Sequence, residues 1–222
     1  MNLITDYFEK SFEIKSNILN TLVIEDTNVF TKFLKSFIEV KNKQSEEIEI
    51  IEDLKRVDVS RTTDIIFDLF SMKANNENII KKLYAEIEYE LNSEDMYSKK
   101  IEIESMLTNI IDDLIYRSRF SLKSSEINYQ NLFKAMSLEF DYDKASILEC
   151  LIEYMRNASE LLNKKLFIIV NLDSFLNEDE LIELSKFLQY NQIKVLALQN
   201  KIIREVMSCE NLRIIDKDLC EI

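Results

Sequence analysis

Residues 164–176 read Lys-Lys-Leu-Phe-Ile-Ile-Val-Asn-Leu-Asp-Ser-Phe-Leu. Within them, Leu166-Phe167-Ile168-Ile169-Val170 is an unbroken apolar run, rich in β-branched side chains and of strand length. A strand with one wet face alternates; a continuous run is how a strand buried on both faces reads. It ends at Asn171-Leu172-Asp173. A helix is expected from Asn177, where Glu180, three residues on, completes a variant of the capping box. Leu181, Leu184, Ser185 and Leu188 fall on the inner face of that helix. Ile193 to Leu198 reads as a second buried strand, followed by a short helix and a last edge strand over Leu212 to Ile215. Strand–helix–strand with short links predicts a parallel pair joined by a right-handed crossover.

The same pattern opens the chain. Leu22-Val23-Ile24 is a short apolar run, and Val29, Phe30, Phe33, Leu34, Phe37 and Ile38 then recur at helical spacing. Asp26 or Thr27 is placed to cap that helix by accepting from its free N–H groups. Glu47 to Ile51 alternates as a second strand. Arg56 to Ile66 is ambiguous: Val57 and Val59 alternate, while Ile65, Ile66, Leu69 and Phe70 suggest a helix. From Asn75 the period changes. Ile79, Ile80, Leu83, Tyr84, Ile87 and Leu91 form one helical stripe, and Ile103, Leu107, Ile110, Ile111, Leu114 and Ile115 another. Leu148, Leu151, Ile152, Met155 and Leu162 form a third, with a shorter helix around Leu132, Phe133 and Met136 between. The reading is an α/β fold: residues 1–72 and 163–222 share one sheet, and residues 73–162 are a helical insertion.

The 222 residues include no glycine, proline, histidine or tryptophan. Without glycine there is no G-x-x-x-x-G-K-[ST] or G-x-G-x-x-G phosphate loop. Without histidine there is no Ser-His-Asp triad and no H-E-x-x-H zinc site. Asparagine is expected at positions of positive φ. The net charge is −13, so duplex phosphate is attracted only where lysines gather locally. With 46% apolar residues the chain can bury a core. Cys150, Cys209 and Cys220 are scattered and odd in number, as in reduced cytoplasmic proteins. No signal peptide or apolar run of membrane-spanning length is read.

The strand ending in Asp173 has the form of a Walker-B strand, whose acid holds Mg²⁺ through water. Its needed partner after the first strand is Glu25-Asp26-Thr27-Asn28, where carboxylates repel a triphosphate. A nucleotide-dependent enzyme using Asp173 is therefore the second reading, and a purely structural helical scaffold the third. Glu139, Asp141 and Asp143 alternate closely enough to suit Ca²⁺; alternatively they form a solvated turn in which Asp143 caps the next helix. The acids Glu46, Glu47, Glu49, Glu52 and Asp53 read as a solvated edge. Lysines cluster in sequence at Lys32, Lys35, Lys41 and Lys43, at Lys164 and Lys165, and at Lys194 and Lys201 with Arg204.

Three stretches carry a family resemblance. They are Thr21-Leu-Val-Ile-Glu-Asp with Phe30-Thr-Lys-Phe-Leu-Lys-Ser-Phe37; Thr63-Asp-Ile-Ile66 with Asn78-Ile-Ile-Lys-Lys-Leu-Tyr84 and Glu88 to Asn92; and residues 164–176 with Glu178-Asp-Glu-Leu181. In order and spacing the chain resembles the type II-A CRISPR-associated spacer-acquisition proteins, the ring-forming, DNA-end-binding Csn-two family. The resemblance implies a P-loop-NTPase-like parallel-sheet head without a Walker A motif and an inserted α-helical leg. It also implies a homotetrameric ring that holds double-stranded DNA ends, binds Ca²⁺, works beside the CRISPR integrase and effector nuclease, and has no established enzymatic activity of its own. Members of that family tend to carry several acids in the leg segment that here runs from Lys123 to Gln130, of which only Glu126 remains. Glu126, Glu139, Asp141 and Asp143 are thus the expected calcium ligands. Lys32, Lys35, Lys164 and Lys165 are the expected DNA contacts, made to phosphates alone.

Overall fold

The computed structural model describes residues 1–72, 75–141, 146–205, 207 and 210–222. In chain order the elements are β1 (Asn2–Thr5), β2 (Phe12–Glu13), β3 (Leu19–Ile24), α1 (Thr27–Lys41), β4 (Ile48–Glu52), β5 (Lys55–Arg56), α2 (Val59–Thr62) and β6 (Thr63–Ile66). Then follow α3 (Glu77–Glu90), α4 (Glu94–Arg117), α5 (Tyr129–Ala135), α6 (Ile147–Leu162), β7 (Leu166–Val170), a 3₁₀ turn (Leu172–Ser174), α7 (Glu178–Asn191), β8 (Lys194–Gln199) and β9 (Glu210–Ile215). The chain divides into two compact units: Met1–Ala74 with Tyr142–Ile222, and Asn75–Asp141.

The first unit is built on a parallel sheet in the order β6-β7-β8-β3-β9. β7, α7 and β8 form the expected strand–helix–strand unit, with β7 and β8 parallel. The first and last strands share the sheet, because β3 lies between β8 and β9. All five residues of β7 are buried, which the unbroken apolar run foretold. On one face Leu22, Ile24, Leu166, Ile168 and Leu196 join Phe30, Phe33 and Phe37 of α1 in one core cluster. Alternate residues point the other way. There Tyr154 of α6 meets Phe167 edge-on at 6.4 Å.

Caps fix the helix starts. Asp26 accepts from Val29 N–H at 2.9 Å to begin α1. Asn177 and Glu180 complete a reciprocal capping box on α7, and Leu181, Leu184, Ser185 and Leu188 are all buried. α6 begins at a Ser146–Glu149 capping box.

Several expectations change. A second, antiparallel sheet in the order β2-β1-β4-β5 adds the short strands β1, β2 and β5 to the strand read near Glu47. The ambiguous stretch resolves into β5, the single turn α2, and β6, which pairs in parallel with β7. Its two strands are too short for their pattern to settle alone. No helix lies among the described residues between β8 and β9. The second compact unit spans Asn75–Asp141, against the 73–162 read for a helical insertion. α6 belongs with the sheet, because its stripe of Leu148, Leu151, Met155 and Ala158 is buried and its Tyr154 contacts β6 and β7.

The glycine-free chain spreads positive φ more widely than asparagine alone. Asn17, Asn163 and Asn171 adopt it, but so do Lys43, Asp53, Leu54, Ser137, Gln192 and Leu219. Chain reversals fix where these positions fall, and the residue present bears the cost.

The second unit holds α3, α4 and α5 around a small aromatic core. Tyr84 and Phe133 meet at 5.7 Å, and Tyr129 and Phe133 at 6.3 Å. The Tyr129 hydroxyl donates to Glu104 Oε1 at 3.0 Å, and burial together with this bond pushes its pKa up to about 12. The 24-residue α4 buries none of its side chains. No helix of the described residues is long and apolar enough to cross a membrane.

Candidate functional site

The turn from β3 into α1 occupies the place of a phosphate loop, and its groups are already engaged. Glu25 N–H donates to Ile215 C=O at 2.9 Å, and Asp26 caps α1. Asn200 Nδ2 donates to Ile24 C=O at 2.9 Å. The Walker-B-like acid is engaged as well. Arg204 Nε donates to Asp173 Oδ1 at 3.0 Å, and its two terminal nitrogens reach the Glu210 carboxylate at 2.9 and 2.5 Å. Arg204, Asp173 and Glu210 are 5%, 2% and 0% exposed at their side chains. Thr21 Oγ1 also hydrogen-bonds to Glu210. Burial raises the Asp173 carboxyl above its ordinary value, against the pull of Arg204, and its Oδ2 has no partner among the described residues.

Positive charge gathers at the opposite edge of the sheet, where β6, β7 and β8 begin. Parallel pairing aligns Thr63 with Leu166 and Leu166 with Lys194. The residues just before or at those strand starts therefore meet. Lys41 Nζ, from the end of α1, lies 2.9 Å from Asp64 Oδ1, and Tyr154 hydrogen-bonds to the other oxygen. Burial works to raise the Asp64 carboxyl, but the bonds from Lys41 and Tyr154 outweigh it and hold the group below the usual aspartate range. Lys164 Nζ donates to Arg61 C=O at 2.9 Å and Thr63 C=O at 3.3 Å. Burial lowers its pKa, with Lys41 adding to the effect and Asp64 opposing it. Lys194 Nζ donates to Glu52 Oε1 at 2.9 Å, and Lys165 Nζ stands 3.9 Å from Glu52 Oε2. The Lys194 bond, more than any other influence, holds the Glu52 carboxyl low.

Of the four lysines singled out in the sequence, Lys164 and Lys165 thus belong to one edge, and Lys41 and Lys194 join them there. Lys32 and Lys35 are exposed on α1, and Lys35 pairs with Glu39 at 3.6 Å. The roles of Glu52, Asp64, Tyr154 and Arg204 were missed. Their signal was indirect: parallel strands that start in register bring the residues before them together, whatever their separation in the chain.

Among the described residues, no three Asp, Glu or Cys side chains are placed to hold a metal ion. Glu126, Glu139 and Asp141 are exposed and form no such group, and Asp143 lies outside the described residues.

The fold and site define a mixed α/β protein with a parallel sheet and no phosphate loop at the β3–α1 turn. Residues 41–219 match the family model described as CRISPR-associated protein (Cas_Csn2), and the chain belongs to that family, as the sequence resemblance implied. It is 22% identical over 198 residues to the CRISPR-associated protein Csn2 of Streptococcus agalactiae, covering 89% of this chain and 87% of that one. It is 22% identical over 184 residues to the Csn2 of Enterococcus faecalis, covering 82% and 83%. Among solved structures, an ATP-binding cassette of an ABC transporter in its ADP conformation aligns at a TM-score of 0.43 and 10% identity, over 90% of this chain and 81% of that one.

Proposed function

We propose that the protein is a non-enzymatic, cytoplasmic double-stranded DNA-binding protein that acts in CRISPR spacer acquisition. In this reading it assembles as a homotetrameric ring on DNA ends, beside the integrase and effector nuclease. The observation that carries it is the edge formed by Lys41, Lys164, Lys165 and Lys194. Four lysines face two carboxylates there, a local positive excess on a chain of net charge −13. Phosphate needs such local concentration, whereas reading bases would need Arg, Asn or Gln presented on an element that enters a groove. Lys165 is its most open member, with 57% of its side chain exposed. Lys32 and Lys35 remain candidates along α1.

α4 supports assembly. Ile103, Leu107, Ile110 and Leu114 recur at alternating spacings of four and three, the seam of a coiled coil. Their exposures are 44%, 36%, 55% and 57%. Apolar seams of this kind are buried in stable soluble proteins, and a second copy of the same helix offers the matching surface.

The test compares linear with covalently closed duplex by gel shift at increasing salt. A ring threaded onto ends binds linear duplex tightly and circles poorly, with no sequence preference. Affinity falls by about 0.9 log unit per log unit of salt for each phosphate neutralised. Equal affinity for circles would overturn the ring, and Lys165→Glu with Lys194→Glu leaving binding intact would overturn this edge as the DNA site.

A further inference from the structure

We infer that Lys165 and Lys194 form a phosphodiester site that the protein's own Glu52 occupies when DNA is absent. The inference rests on the DNA-binding reading above.

The geometry is that of one anion bridged by two ammonium groups. Lys194 Nζ addresses Oε1 at 2.9 Å, while Lys165 Nζ approaches Oε2 at 3.9 Å. A phosphodiester presents the same features, two equivalent oxygens sharing a single negative charge. Register fixes the two lysines: Lys194 starts β8 opposite Leu166, and Lys165 precedes Leu166. The backbone N–H of Lys165 is tied to Thr62 C=O at 2.7 Å, which steadies that side of the site.

Glu52 is suited to leave. Its backbone place in the β4–β5 hairpin is held by pairing with Lys55, which does not need the carboxylate. Its side chain is 26% exposed and Lys165 is 57% exposed, so the pair opens to solvent. Asp64 differs. It is 17% exposed and is held by both Lys41 and Tyr154, from two separate helices, so it fixes the edge and does not yield to phosphate. The Glu52–Lys165 contact at 3.9 Å is half-exposed and weak. The bond a polyanion must replace is therefore the one from Lys194 at 2.9 Å, which a phosphodiester oxygen can accept in the carboxylate's place.

The test measures linear-duplex affinity by fluorescence anisotropy across a salt series for the wild type, Glu52→Gln, Glu52→Ala, Asp53→Asn and Lys165→Gln. Glu52→Gln and Glu52→Ala should bind about two- to fivefold more tightly at low salt, the equivalent of an exposed ion pair that no longer has to be broken. That gain should vanish when Glu52→Gln is combined with Lys165→Gln. Asp53→Asn removes the same charge one residue away, outside the lysine pair, and should gain much less. An equal gain from Asp53→Asn would show general electrostatics and sink the site. Unchanged affinity in both Glu52 variants, with Lys165→Gln still weakening binding, would overturn the competition while leaving the DNA reading intact. Binding indifferent to Lys165→Gln as well would remove the DNA reading of this edge.

Discussion

Arg204 holds Asp173 by one nitrogen and Glu210 by two, so a single guanidinium neutralises two carboxylates in the interior. All three side chains are at least 95% buried. Removing the shared cation leaves both acids uncompensated. Arg204→Met should therefore cost about 3–5 kcal/mol, read from the urea midpoint. Asp173→Asn keeps an oxygen for Arg204 Nε and relieves a carboxyl that burial already disfavours, so its cost should be about 1 kcal/mol. ATP turnover should stay at background in the wild type and in Asp173→Asn. Turnover in the wild type that this change abolishes would put the nucleotide-dependent enzyme in place of the DNA-binding protein.

Leu54 sits at the tip of the β4–β5 hairpin with φ 61°, after Asp53 at φ 50°. Positive φ at both residues is the geometry that favours Asp-Gly or Asn-Gly. Leu54 is 99% exposed, so replacing it loses no packing. Leu54→Gly should stabilise by about 0.5–1 kcal/mol, the left-handed cost of a side chain less the greater unfolded freedom of glycine. The melting temperature should rise by roughly 1–4 °C. Leu54→Ala keeps a Cβ and should show little of the gain. An equal rise in both variants would show that backbone strain is not the cause.

Asp64 gives the acid limb of stability. Its folded pKa lies below the ordinary aspartate value, so its contribution is fully present above that value and is lost as pH falls through the folded one. Asp64→Asn should lower the urea midpoint near neutrality and flatten its decline in acid. Tyr154 acts at the other end. Burial first, then Asp64, raise its pKa, so its contribution holds below the ordinary tyrosine value and is lost as pH rises above it. Tyr154→Phe should flatten the alkaline decline. A parallel pH profile in either variant would mean that its group does not couple to folding.

The α4 seam should control assembly without controlling folding. Leu107→Glu with Ile110→Glu places charge on a helix face that the described residues leave partly exposed. Native mass spectrometry should show smaller species, while the unfolding free energy of the protomer, read from urea titration, stays within about 0.5 kcal/mol of the wild type. An unchanged oligomeric state would exclude this seam from the interface.

Local patterns were legible in the sequence because local physics makes them. The buried strand over Leu166–Val170, the Asn177–Glu180 cap and the stripes of α3, α4 and α6 all follow from side-chain period and free N–H groups within a few residues. The missing phosphate loop was legible too, since glycine was absent. What the sequence did not carry depends on partners distant in the chain. The stripe on α6 says that it buries a face, but only packing against β7 decides that it joins the sheet unit. Asp173, just past the end of β7, sits where the sequence suggests a metal-binding acid, yet Arg204, 31 residues on, claims it. Lys41, Lys165 and Lys194 are far apart until parallel register aligns the strand starts, and that register is fixed by hydrogen bonds and core packing along the whole sheet.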